Sequence, residues 1–190
     1  MRGLRWLFLS ASLAAVVAAF VTVSCAPQSQ QTVAAPTAAD TIAHGRYLVT
    51  LMSCGDCHTP GGMYGAPDTT RTLAGSELGW GGPWGVSYPR NLTPDVETGI
   101  GSWTPEQIVT ALRTGQRPDG SRLAPPMPWP NYGGMKDADA YAIAAYLKSL
   151  PAVSHKVPAI VPPGKPVKGS VTNVPPPPAW DAPPAPPAGT

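Results

Sequence analysis

Cysteine is scarce: three residues in a chain of 190 cannot build a disulfide framework. Charge is scarce as well, at 13% of residues. The net charge is +2 and no basic run exists, so the chain has no electrostatic footprint for nucleic acid. One long uncharged run, Trp6 to Val23, is too little for a multi-span membrane protein. The composition also excludes collagen and a coiled coil. Proline is the excess, with 26 residues, half of them after Leu150. Each fixes φ and removes a backbone donor, so that stretch is neither helix nor central strand, and the folded part is shorter than the chain. Six tryptophans stand against two phenylalanines, four of them between Trp80 and Trp129. From Asp40 to His155 the chain carries eight Lys/Arg and ten Asp/Glu, so the basic pI of about 8.5 belongs to the two ends.

Arg2 and Arg5 precede the apolar run, the pattern of an export signal. Thr22-Val23-Ser24-Cys25 resembles the lipobox of bacterial lipoproteins, with Thr22 standing where an aliphatic residue is usual. Lipidation at Cys25, plain cleavage and an uncleaved anchor all place the rest of the chain outside the cytoplasm. The expected division is a signal peptide over 1–24, a disordered tether over 25–39, a folded domain over 40–155 and a Pro-rich extended tail over 156–190.

The remaining cysteines lie in Cys54-Gly55-Asp56-Cys57-His58. This is the Cys-x-x-Cys-His signature of covalent haem attachment. Two thiols at this spacing add across the two haem vinyl groups, and the adjacent imidazole then reaches iron from one face. A thioredoxin-like pair would need a βαβ context, and zinc would need four ligands. The motif occurs once, so one haem c is expected. His58 takes one axial position, and the other decides function. A methionine there closes the site and raises the potential, whereas an open site invites ligand chemistry. Met52 is too near the motif to cross the haem. Met63, in a Gly-rich loop, and Met135, just before a helix, are poorer candidates than Met127. Met127 sits in Pro125-Pro126-Met127-Pro128-Trp129-Pro130, where flanking prolines stiffen the loop.

Three helices are expected. The first runs from about Thr41 to Met52, with Ile42, Gly45, Leu48, Val49 and Met52 on one face and His44 on the surface. The second starts at Thr104-Pro105-Glu106-Gln107, a capping box with proline in the first position; Ile108, Ala111 and Leu112 face inward and Gly115 ends it. The third runs from a capping Asp137 to Leu150, with Tyr141, Ala144, Ala145, Leu147 and Leu150 as its stripe. Gly45 and Tyr146 suit a close crossing of the first and last. Arg117-Pro118-Asp119-Gly120 reads as a turn. No strand pattern is visible. Trp80, Trp84 and Trp129 are expected to pack, to cover the haem or to form a docking face.

This order over about Asp40 to Val153 resembles the class I c-type cytochromes. Asn91-Leu92-Thr93-Pro94-Asp95, Thr98-Gly99-Ile100-Gly101-Ser102-Trp103-Thr104, Arg117-Pro118-Asp119-Gly120, Met127-Pro128 and Asp139 to Leu150 resemble the cytochrome domains of bacterial membrane-bound alcohol and gluconate dehydrogenases. Those subunits usually carry three haems on a longer chain. The resemblance implies an all-α cytochrome c fold of three or more helices around one haem, with long Gly/Pro-rich loops. It implies His58 and Met127 as axial ligands, and places the Tyr88 to Trp103 loop at the haem edge. There Arg90, Asn91 and Trp103 are candidate donors to the haem propionates. The expected activity is single-electron transfer, not catalysis, between a dehydrogenase or quinol-oxidising complex and an oxidase or another cytochrome. The alternative is a haem enzyme or gas sensor with an open or displaceable sixth site.

Overall fold

Residues 35–174 are described by a computed structural model. Helix α1, Ala38–Leu51, begins earlier than expected because Thr37 caps it. The Thr37 hydroxyl accepts from the Asp40 N–H at 3.2 Å, and the Asp40 carboxylate accepts from the Thr37 N–H at 3.0 Å. These reciprocal bonds satisfy donors that a helix start otherwise leaves free. Helix α2, Cys54–His58, is a single turn that follows Ser53 in the left-handed region, with φ of 52°. Helix α3, Pro105–Thr114, has the expected Thr104/Gln107 box, and Gly115 ends it at φ 71°. Helix α4, Asp137–Ser149, departs from expectation at its start. Lys136 occupies the capping position without a side-chain bond, and Asp137 turns to Arg113 of α3 at 2.8 Å.

The main core joins α1, α3 and α4 through Val49, Ile108, Val109, Ala140, Ile143, Ala144 and Leu147, with Leu73 and Ile100 from loops. The buried stripe of α4 keeps the expected Ala144 and Leu147 but adds Ile143, while Tyr141 is 40% exposed. Small residues make the crossing with α1, which leaves the larger tyrosine at the rim. A Cβ on Gly45 would lie 1.9 Å from the Ala142 carbonyl oxygen and 2.8 Å from Tyr146 Cβ. The same helices are joined at the surface by His44 Nε2 and Asp139 Oδ1, 2.7 Å apart. Both are substantially exposed, so that pair contributes little.

The all-α expectation needs correction. Strands β1, Gly79–Gly82, and β2, Gly85–Ser87, form an antiparallel hairpin, and β3, Val171–Asn173, adds parallel to β1 in the order β2-β1-β3. The division at His155 also differs from the fold. Val157 is buried with Val86 and Tyr88, and Val161, Val167 and Val171 pack on that second cluster. Residues 156–174 thus form a strap on the domain, extended but seated. The leader, most of the tether and the end of the tail, including Cys25 and Trp180, lie outside the described residues.

Candidate functional site

The turn of α2 carries both remaining cysteines and His58. Cys54 and Cys57 are free thiols, and burial pushes the Cys54 thiol up to about 11 and raises that of Cys57. His58 Nδ1 lies 2.7 Å from the Arg90 carbonyl oxygen. A carbonyl only accepts, so Nδ1 donates and the neutral ring keeps its lone pair on Nε2. Burial also lowers the His58 pKa, which favours the neutral, ligating form. The hydrogen bond fixes ring orientation and raises its basicity toward a metal.

The four methionines among the described residues separate by environment. Met52 and Met135 pack against the main core, and Met63 is 45% exposed. Met127 is half-buried and belongs to neither hydrophobic cluster. Its loop is tied at several points. The Leu123 N–H donates to the Gly115 oxygen at 2.7 Å, and the Ser87 hydroxyl donates to the Pro125 oxygen. Trp129 lies flat enough on Gly115 that a Cβ there would meet ring atoms at 2.6 Å, and the Arg122 guanidinium covers the same ring at 5.5 Å. Beyond the loop, Arg113 donates to the Met135 oxygen at 2.5 Å. Burial raises the Tyr132 phenol, and the Cys54 and Cys57 sulfurs add to that effect.

Of the three expected propionate donors, Asn91 is placed otherwise. It is 1% exposed, and its amide donates to Thr98 Oγ1 at 3.0 Å and to the Val153 oxygen at 2.8 Å. Its oxygen accepts from the Thr93 N–H at 2.9 Å and the Thr93 hydroxyl at 2.8 Å. Both donors are spent inside the protein, tying the 91–98 loop to the chain after α4. Replacing Asn91 by alanine is expected to cost about 3 kcal/mol, because several buried partners lose their bonds at once. Chemical unfolding of the haem-loaded protein measures that loss, while its far-red spectrum is expected to stay unchanged. Trp103 packs against the main core, and its carbonyl accepts from Lys148 at 3.2 Å.

Arg90 is half-buried, and burial together with the charge of Arg117 lowers its pKa. Neither arginine has an acidic partner among the described residues. Arg117 Nε is moreover buried without any hydrogen-bond partner. A buried guanidinium nitrogen without a partner, beside a second arginine, is costly unless an anion joins them. Sequence reading missed Arg117, because its place in a turn motif explained it already. Two thiols, an oriented imidazole and two unpaired cations form a donor set that fits a covalently attached haem and its two carboxylates.

The family model for cytochrome c matches residues 42–151. The chain is 38% identical over 105 residues to the cytochrome c subunit of alcohol dehydrogenase (quinone) from Gluconobacter oxydans, covering 55% of this chain and 20% of that protein. It is 39% identical over 113 residues to the fructose dehydrogenase cytochrome subunit of Gluconobacter japonicus, covering 57% and 22%. A diheme cytochrome c-type protein of Cereibacter sphaeroides is 38% identical over 114 residues, covering 57% and 35%. The chain thus spans only about a fifth to a third of these relatives' lengths.

Proposed function

The chain belongs to the cytochrome c family, and we propose that it is a monohaem electron carrier with His58 and Met127 as the axial ligands. The domain implies covalent haem c, and Cys54 and Cys57 stand where the thioethers form. The observation that carries the ligand assignment is the environment of Met127, the one methionine among the described residues that neither the core nor solvent claims, in a loop tied on both sides. When bound, the haem supplies an iron that cycles between ferric and ferrous states. The protein's part is to hold ligation constant through that cycle. The Arg90 carbonyl keeps the His58 ring oriented, and the stiff loop keeps the Met127 sulfur in place for either state. Arg90 and Arg117 take the two propionates, and Trp129 and Tyr132 exclude water.

In this reading the electron comes from a dehydrogenase or quinol-oxidising complex and passes to an oxidase or another cytochrome. The relatives' roles as cytochrome subunits of alcohol and fructose dehydrogenases support a donor of the first kind. The leader motif supports export to the periplasmic side of a bacterial membrane, with a lipid at Cys25 as anchor. Among the described residues no helix is long and apolar enough to cross a membrane. A tethered domain would meet its membrane partners at a raised effective concentration.

Intact mass and the pyridine haemochrome spectrum test the stoichiometry, and voltammetry tests the role. One covalent haem per chain, a reversible one-electron wave and slow carbon monoxide binding by the ferrous protein are expected. More than one haem, or rapid carbon monoxide binding, would overturn the assignment.

A further inference from the structure

The strap over residues 156–174 reaches the ligand loop through one strand. Just before it, His155 Nδ1 donates to the Ala74 oxygen at 2.7 Å. Val157 then enters the second cluster beside Val86 and Tyr88. Val161 exchanges both backbone bonds with Val86: the Val86 N–H donates at 2.8 Å and the Val161 N–H donates back at 2.9 Å. The seat is close, since a Cβ on Gly85 would lie 2.1 Å from the Val161 oxygen. Farther along, β3 pairs with β1, which itself pairs with β2. Strand β2 is therefore held on one side by β1 and on the other by Val161.

The next residue after Val86 is Ser87, only 6% exposed, and its hydroxyl donates to the Pro125 carbonyl two residues before Met127. Three residues later the same backbone run presents the Arg90 carbonyl to His58. Five consecutive residues, 86–90, thus meet both the proximal histidine and the methionine loop. A run with so many duties has little regular structure of its own, because β2 is three residues long. Short strands of that kind depend on their neighbours for stiffness.

We propose that the C-terminal strap is a positioning element for the axial methionine, acting through Val161, strand β2 and the Ser87 to Pro125 hydrogen bond. This rests on the reading of Met127 as the iron ligand. The strap holds β2 still, and Ser87 holds the first half of the ligand loop against it. Release at either point lets the loop swing away more often, although no residue touching iron is altered. Ser87 and Val161 are positioning residues, and the haem-binding cysteines and His58 are untouched by their replacement.

The test uses the full-length ferric holoprotein as the parent, Ser87→Ala and Val161→Pro. The proline removes the N–H that bonds to Val86, and with it the valine side chain that packs on the second cluster. Added imidazole competes for the methionine's place, so its binding rate reads how often the loop opens. Both variants are expected to retain the far-red methionine band in buffer and to bind imidazole about five- to tenfold faster than the parent, the equivalent of one neutral hydrogen bond. Thermal melting is recorded beside it, because a merely structural role would lower the melting temperature and leave the imidazole rate alone. Unchanged imidazole rates in both variants, in a parent that shows the band, would overturn the role of the strap. A parent without the band would instead overturn Met127 ligation, and the strap proposal with it.

Discussion

Replacing Gly45 by alanine is expected to destabilise the protein by about 3 kcal/mol, the upper end of what overpacking a close-packed site costs. The sign is informative. In an open helix the same change would stabilise by nearly 1 kcal/mol, because alanine is the better helix former. Here the added methyl would lie 1.9 Å from the Ala142 oxygen and 2.5 Å from its carbon, both backbone atoms of α4. Backbone in the middle of a helix cannot turn aside as a side chain can, so the two helices must separate. Separation opens the core that Val49, Ile143 and Ala144 share. Valine at the same position is expected to prevent folding. Denaturant unfolding of the haem-loaded protein measures the effect. A neutral or stabilising alanine variant would show that the helices do not cross at Gly45.

Replacing Met127 by alanine is expected to convert the carrier into a ligand-binding haem. Removal of the thioether leaves the sixth position to water or added ligand, so the ferrous form should take up carbon monoxide at once. The reduction potential should also fall, because methionine raises it relative to harder ligands. Stability should change less than for Gly45, since Met127 packs against neither hydrophobic cluster. Stopped-flow carbon monoxide binding and voltammetry check both parts. The loop itself is expected to stay in place, because Leu123, Ser87 and Trp129 tie it independently of the sulfur.

The helices and the attachment motif were legible because their signals are local. Thr104, Pro105, Gln107 and Gly115 mark both ends of α3 within twelve residues, and Gly45 opposite Tyr146 foretells the crossing. Thr37 and Asp40 carry the same kind of signal, obscured by the Pro- and Ala-rich tether around them. The sheet was not legible. Gly79-Trp80-Gly81-Gly82 has no alternation, and its parallel partner lies some ninety residues on, in a segment whose prolines argue against any strand. Valine is what seats that segment, at Val157, Val161 and Val171. Asn91 was read outward because a donor at the haem edge is useful there. Thr93 two residues later was the local sign of an inward, self-bonded asparagine. Arg117 could not be found from sequence, because only the fold leaves its Nε buried and alone.

The most direct test of the account is the far-red absorption of the ferric protein beside that of Met127→Ala. His58/Met127 ligation predicts a methionine-to-iron charge-transfer band in the parent and its loss in the variant. A band that survives the replacement would move the ligand to Met135 or Met63, and no band in either protein would contradict methionine ligation and the closed electron-carrier site built on it.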